Sequence, residues 1–325
     1  MNLSDSIKQK ALDVGFDLVG ITSAEPIDKS HIDYLTDWLN RKAAGRMSYM
    51  YKNLEKRTSP ANLLQNAHSV ICVGLNYKPP PSLRASQSDA KQSHPRNTSP
   101  TGKIANYAQY EDYHLFIKKQ LHKLTDFIGS LIKDDFEFKI CVDSAPIAER
   151  ALAARAGLGF IGKNRMLINP TIGLQILLGE IITNLKLSVD QPIADTCSNC
   201  NKCIEACPTA ALTTDGWFDA NKCISYLTIE YKDKIPADLA EKIGAHLFGC
   251  DECLLVCPYN ENAPVCKNAD FTFYPNRAFV DLKGILKMAE YQFDTEFADS
   301  PIKRLGLDLL KRNAQICLDN SRSSI

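Results

Sequence analysis

The sequence predicts a layered domain of mixed helix and strand, α+β or α/β, over residues 1–188. A small cysteine-dense domain follows at 189–268, then a short helical tail at 269–325. Three observations carry this division. Apolar residues switch between strand-like runs and helical spacing through the first part. Nine of the twelve cysteines crowd between Cys197 and Cys266. Helical periodicity returns beyond that crowd.

The elements can be justified in order. Leu3, Ile7, Ala11 and Val14 recur at helical spacing, and Gly15 stops that helix. Phe16 to Ile21 reads as a strand, and Val70 to Leu75 as a second, buried one. Ile117, Leu121, Leu124, Ile128 and Leu131 mark a helix on steps of three and four. Phe138 to Val142 is a third strand, followed by a turn and a helix from about Pro146 to Ala156 that Gly157 ends. Leu177 to Thr183 is a further strand. Lys78 to Lys103 is rich in Pro, Ser, Gln and Asn and reads as a surface loop. In the tail, Asp281 to Tyr291 forms one helix. Ser300-Pro301 opens another, with Ile302, Leu305, Leu309 and Ile316 on one face.

Charge and apolar patterning narrow the function class. Lys+Arg and Asp+Glu both number 38, so the formal net charge is zero. Overall charge therefore does not hold this chain to nucleic acid, although a local basic patch remains open. Apolar runs such as Ile176-Leu177-Leu178 are too short to span a bilayer. Met1 to Lys10 carries Asp5, Lys8 and Lys10 and no apolar signal region. These features predict a cytoplasmic protein with no membrane partner. In a reducing compartment, clustered cysteines point to metal or cluster binding rather than disulfides.

The strongest motif is Cys197-x2-Cys200-x2-Cys203-x3-Cys207-Pro208, the bacterial ferredoxin run for a [4Fe–4S] cluster. Two-residue gaps let three thiolates converge from one tight loop, while the fourth cysteine points away toward another cluster. The partner run, Cys250-x2-Cys253-x3-Cys257-Pro258, lacks one cysteine, and Cys223 can supply it from outside. Crossed ligation assigns Cys197, Cys200, Cys203 and Cys257 to one cluster and Cys207, Cys223, Cys250 and Cys253 to the other. The competing reading is a pair of zinc knuckles. Cys72 and Cys141 lie in strands and read as core residues. Cys266 and Cys317 have no assigned role.

Nearly 200 residues precede the clusters, and electrons delivered there need an acceptor. Asp143, in Val142-Asp143-Ser144-Ala145-Pro146, stands where a strand meets a helix and reads either as an acid facing a crevice or as a turn or capping residue. The glycines of Ala156-Gly157-Leu158-Gly159-Phe160-Ile161-Gly162-Lys163-Asn164 permit close approach to a planar or phosphate-bearing ligand, or simply end a helix. Tyr107, Asp112, Tyr113 and His114 are pocket or surface polar residues. Arg41, Lys42, Arg46, Lys52, Lys56 and Arg57 suit a phosphate backbone, or a solvated helix face.

Taken together these stretches resemble the epoxyqueuosine reductase family. The likeness rests on Asp143-Ser144-Ala145-Pro146, the segment from Arg155 to Asn164, Leu178-Gly179-Glu180-Ile181, and the first cysteine run. It extends to Cys223-Ile224-Ser225-Tyr226-Leu227-Thr228-Ile229-Glu230, Gly249-Cys250-Asp251-Glu252-Cys253 through Asn260, Ser300 to Arg304, and Arg312-Asn313-Ala314.

The resemblance implies a cobalamin-binding catalytic domain beside a ferredoxin-like domain with two [4Fe–4S] clusters. It implies a tRNA substrate carrying epoxyqueuosine at the wobble position. The chain is expected to be a monomer that takes electrons from an external low-potential donor. Asp143 is then the proton donor, kept protonated beside an apolar corrin face. Arg57, Tyr107, Asp143, Leu167, Leu178 and Ser225 fall at cobalamin-facing positions, and Lys232 at a tRNA contact. The sequence departs from the family in two ways. Asn106 precedes Tyr107 where Arg is expected, and the tail leaves room for only a helix or two where many members carry HEAT-like repeats, which predicts a short form. Two rival readings are a reductive-dehalogenase-like corrinoid enzyme and a non-catalytic ferredoxin-type electron carrier.

Overall fold

The structure, a computed structural model, describes residues 2–80, 99–132, 135–194 and 197–323. Within the polar segment expected as a surface loop, residues 81–98 lie outside the described residues. The chain divides into two compact units. One comprises Met1–Asn76, Tyr113–Cys200 and Pro258–Pro264; the other comprises Tyr77–Asp112, Asn201–Cys257 and Val265–Ile325.

The first unit is built on a four-stranded sheet in the order Leu18–Ser23, Ser69–Asn76, Ile176–Thr183, Phe138–Cys141. Each pairing is antiparallel, which makes the unit α+β. Ser69–Asn76 is buried at every position because helices cover both faces. On one face, a side chain at Gly179 would meet Ile117 and Leu121 of helix Tyr113–Leu131. On the other, Val70, Cys72, Cys141 and Ile182 share a core with Leu152 and Ala153 of helix Glu149–Arg155. One rung across the sheet runs Gly20, Cys72, Glu180, Cys141. Directly paired residues share a face, so the register sets the acid Glu180 under the short helix that starts at Glu149.

That helix begins later than its apolar pattern predicts. Ser144 N–H donates to Val142 O at 2.5 Å, and Ile147 N–H to Ala145 O at 2.8 Å. These two-residue closures hold 142–147 in tight turns and postpone the helix from Pro146 to Glu149. Leu3–Asp13 forms the expected first helix, and Gly15 follows at φ +102°.

The second unit holds a three-stranded sheet in which Thr101–Ile104 lies between His246–Phe248, parallel, and Phe279–Asp281, antiparallel. The short helices Lys202–Glu205 and Glu252–Leu255, one from each cysteine run, pack together. The tail differs in detail from its periodicity. Asp281 to Tyr291 resolves into Leu282–Lys287 and Glu290–Glu296, because Met288 and Ala289 are extended. Ser300 opens a single 3-10 segment, Pro301–Leu305, and Gly306 at φ +81° separates it from the long helix Leu307–Ser323. The buried face of that helix is Leu307, Leu310, Asn313, Ala314 and Cys317 rather than Leu309 and Ile316. Cys317 is thus a core residue, as are Cys72 and Cys141. Among the described residues, no helix is long and apolar enough to cross a membrane.

Candidate functional site

Four of the eight predicted cluster ligands gather in the second unit. Cys253 feels the charges of Cys223, Cys250 and Cys207, and Cys223 lies at the N-terminus of helix Ile224–Ile229. Cys223 therefore sits with the cysteines of both runs although it is distant from them in sequence. Backbone N–H groups point at these sulfurs: Ala211 at Cys207 Sγ (3.3 Å), Ser225 and Tyr226 at Cys223, and Glu252 at Cys250. Burial pushes the Cys223, Cys250 and Cys253 thiols up, which disfavours bare thiolates. Iron at each sulfur would compensate that cost, and N–H donors to the sulfurs would tune the cluster's potential. Among the described residues no three His, Cys, Asp or Glu side chains converge on one ion-sized point. A four-iron cube takes one thiolate at each iron, so its ligands ring a volume instead. The donor set fits the cluster.

Of the remaining predicted ligands, Cys203 and Cys257 belong to the second unit and Cys197 and Cys200 to the first. Lys163 serves the latter pair. Its N–H donates to Cys197 Sγ at 3.4 Å and its Nζ to Cys200 O at 3.0 Å.

Asp143 is no helix cap: Ala148 holds the N-cap position of Glu149–Arg155. Asp143 sits just past strand Phe138–Cys141 at φ +50°, a left-handed conformation that non-glycine residues rarely adopt. Its N–H donates to Glu149 Oε1 at 2.5 Å, and its Oδ2 lies 3.1 Å from His114 Nε2 at the start of the long helix. About 44% of the Asp143 side chain remains exposed, so the carboxyl can be reached from solvent. Burial, then the charge of Asp143, pushes the Glu149 carboxyl up to about 7. Glu180 is wholly buried, and neither of its carboxyl oxygens meets a hydrogen-bond partner among the described residues. Burial, then the charge of Glu149, holds Glu180 well above the usual carboxylate range, which favours its neutral form. Three acids thus step from the surface into the core beside one strand end.

Arg57, at the end of helix Leu54–Thr58, feels the charges of Glu149 and Asp143. Its Nη2 donates to Tyr49 O at 3.3 Å, while its buried Nε has no hydrogen-bond partner among the described residues. Leu167 is buried in the core beneath helix Glu149–Arg155, and half-buried Leu178 packs against that core. In the first unit Arg57 and Asp143 thus lie within electrostatic reach of each other, and Leu167 and Leu178 share the core beneath helix Glu149–Arg155. A guanidinium N–H without a hydrogen-bond partner and apolar side chains are groups that a large ring rimmed with amides can use, so these residues fit a corrinoid in chemistry.

Comparison with known proteins decides the family. A model described as "Epoxyqueuosine reductase QueG, DUF1730" matches residues 57–144, and a "4Fe-4S double cluster binding domain" matches 196–260. The chain is 36% identical over 320 residues to the epoxyqueuosine reductase of Vibrio cholerae, spanning 98% of this chain and 84% of that protein. It is 39% identical over 310 residues to that of Leadbetterella byssophila, spanning 95% and 96%. The chain belongs to the epoxyqueuosine reductase family.

It is thus an oxidoreductase that carries a double-cluster iron–sulfur domain. Its fold matches that of an epoxyqueuosine reductase solved with an epoxyqueuosine-modified tRNA-Tyr stem loop. The TM-score is 0.87 at 32% identity, over 98% of this chain and 81% of that one. It also matches the Bacillus subtilis epoxyqueuosine reductase, described with its catalytic aspartate loop swung out of the active site. That TM-score is 0.86 at 31% identity, over 98% and 81%.

Other residues singled out by the family resemblance are placed as follows. Tyr107 lies in the second unit, its ring 6.2 Å from that of Phe248. Asn106, which replaces the expected Arg, is buried and donates its N–H to Asp251 Oδ2 at 2.6 Å. Ser225 is half-buried beside Cys223, and Lys232 is exposed. Protein backbone lies close to the glycine-rich stretch: a side chain at Gly159 would lie 2.4 Å from Ile168 O, and one at Gly157 2.6 Å from Gln191 O. Arg155 in the same stretch ties the short helix to the first strand through Thr22 Oγ1 and Ser23 O, each at 2.8 Å.

Glu149 and Glu180 are missing from the sequence-based site. Both had a visible signal. Glu180 is the single acid in the apolar strand Ile176–Thr183, and Glu149 falls six residues after Asp143.

Proposed function

We propose that this protein reduces epoxyqueuosine in tRNA to queuosine in the cytoplasm, as a monomer supplied by an external low-potential electron donor. The observation that carries the reading is an aspartate presented from a strained turn, in a chain that matches a tRNA-bound epoxyqueuosine reductase along nearly its whole length. The reaction consumes two electrons and two protons, breaks both C–O bonds of the epoxide, and leaves an alkene and water. When bound, cobalamin supplies low-valent cobalt that acts on the epoxide carbon, and the two clusters supply electrons one at a time.

The protein's own residues do the rest. Asp143 protonates the departing oxygen, which is too poor a leaving group as alkoxide. His114, at hydrogen-bond distance from Asp143 Oδ2, is placed to orient the carboxyl. Arg57, with Leu167 and Leu178, would hold the corrinoid. Lys232 would meet the tRNA backbone. With zero net charge, that contact is local, and recognition leans on the modified base as much as on phosphate.

The test is anaerobic turnover. Protein loaded with clusters and cobalamin, given reductant and tRNA bearing epoxyqueuosine, is expected to yield queuosine in the nuclease digest by mass spectrometry. Unchanged epoxyqueuosine with both cofactors demonstrably bound would overturn the proposal.

A further inference from the structure

Glu149 has no part in the reaction as written above, yet it touches the residue that does. We propose that Glu149 is a positioning residue for Asp143, its carboxylate anchoring the aspartate's backbone N–H so that the turn presents the acid in one orientation. The inference rests on the reading of Asp143 as proton donor.

Four observations support it. The Asp143 N–H reaches Glu149 Oε1 at 2.5 Å, a charge-assisted hydrogen bond from a residue at φ +50°. A non-glycine residue persists in that conformation only where its surroundings hold it. Flanking closures within 142–147 are backbone contacts between near neighbours, so Glu149 supplies the side-chain tether from the adjoining helix. Beneath it, Glu180 occupies the paired rung with Cys72 and Cys141 and carries no hydrogen bond among the described residues, so it does not compete with Glu149 for the Asp143 N–H.

The anchor is sensitive to protons. Burial and then the charge of Asp143 set the Glu149 carboxyl at about 7, with the Asp143 N–H, Arg150 and His114 opposing. Arg57, Glu180 and the buried thiols Cys72 and Cys141 also feel its charge. The ionised carboxylate is a stronger acceptor than the neutral acid. As pH falls through about 7, the tether to Asp143 therefore weakens and the turn loosens.

The experiment is amide hydrogen exchange across residues 142–148 in the full chain loaded with clusters and cobalamin, beside turnover. Glu149→Ala should speed exchange at the Asp143 amide by about tenfold or more. It should lower kcat by a similar factor, with KM for tRNA changed by no more than about twofold. Glu149→Gln keeps an oxygen acceptor without a titratable charge. It should restore most of the protection and remove the wild-type loss of protection below neutral pH. Wild-type exchange in Glu149→Ala would overturn the proposal, as would Glu149→Gln exchanging as fast as the alanine variant. Should Glu149→Ala fail to fold, the wild-type profile decides, because protection that stays flat across neutral pH after correction for intrinsic exchange also overturns it. If Asp143→Asn stays active, the proton-donor reading fails, while the exchange data still report whether Glu149 tethers the turn.

Discussion

Asn313→Ala probes how the tail helix supports the cluster-bearing unit. Asn313 is fully buried on helix Leu307–Ser323. Its Nδ2 donates to Thr228 O at 2.8 Å and to Leu247 O at 3.0 Å, and its Oδ1 accepts from Arg312 Nε at 3.1 Å. Thr228 belongs to the helix that starts at Cys223, and Thr228 Oγ1 receives the N–H of Gly249, next to Cys250. One amide thus joins the tail to the backbone flanking two predicted cluster ligands. Alanine leaves two buried carbonyls without that donor, at about 1–3 kcal/mol each. The expected loss is about 2–6 kcal/mol, or a fall in Tm on the order of 5–20 °C for a unit of this size. Thermal unfolding of the cluster-loaded protein, followed by far-UV circular dichroism and by cluster absorbance, checks the figure. Asn313→Asp turns the donor into a charge facing two carbonyls and should be at least as damaging. A Tm within about 2 °C of wild type for Asn313→Ala would refute the reasoning.

Two further outcomes are expected. Cys223→Ser should lower the iron content of the reconstituted protein from about eight atoms per chain to about four, because it removes one corner of the second cluster only. Full iron loading would contradict the crossed ligand set. Glu180 has a folded-state pKa raised by burial and by Glu149, so its contribution to stability is complete below the ordinary carboxylate range and declines as pH rises toward the raised value. Glu180→Gln should therefore flatten the wild-type loss of stability between weakly acid and weakly alkaline pH, measured as urea midpoints, whereas parallel curves would count against a neutral buried acid.

Much of this site was legible in the sequence, for identifiable reasons. Thiolate ligation tolerates few spacings, so the two cysteine runs and the gap that Cys223 can fill stood out without coordinates. Strands such as Ser69–Asn76 were legible because burial on both faces demands continuous apolar runs. The onset of helix Glu149–Arg155 was not, because the closures at Val142 and Ala145 depend on backbone geometry that residue type fixes weakly. The glycine segment stays open between ligand approach and a helix end in the sequence, since a sequence cannot say whose backbone approaches; the atom beside Gly159 is Ile168 O. The convergence of Asp143, Glu149 and Glu180 is not readable from sequence because it needs the register that pairs Cys72 with Glu180. Lone acids in apolar strands are the clue that could have found it.

The most direct test of the central claim is Asp143→Asn. The asparagine keeps the backbone N–H that Glu149 accepts and tolerates the left-handed turn, but it has no carboxyl proton to give. The variant should load both clusters and cobalamin like wild type and bind tRNA bearing epoxyqueuosine. Its conversion to queuosine should fall by a factor of about 100 or more. Turnover at the wild-type rate in a fully loaded Asp143→Asn protein would contradict the account.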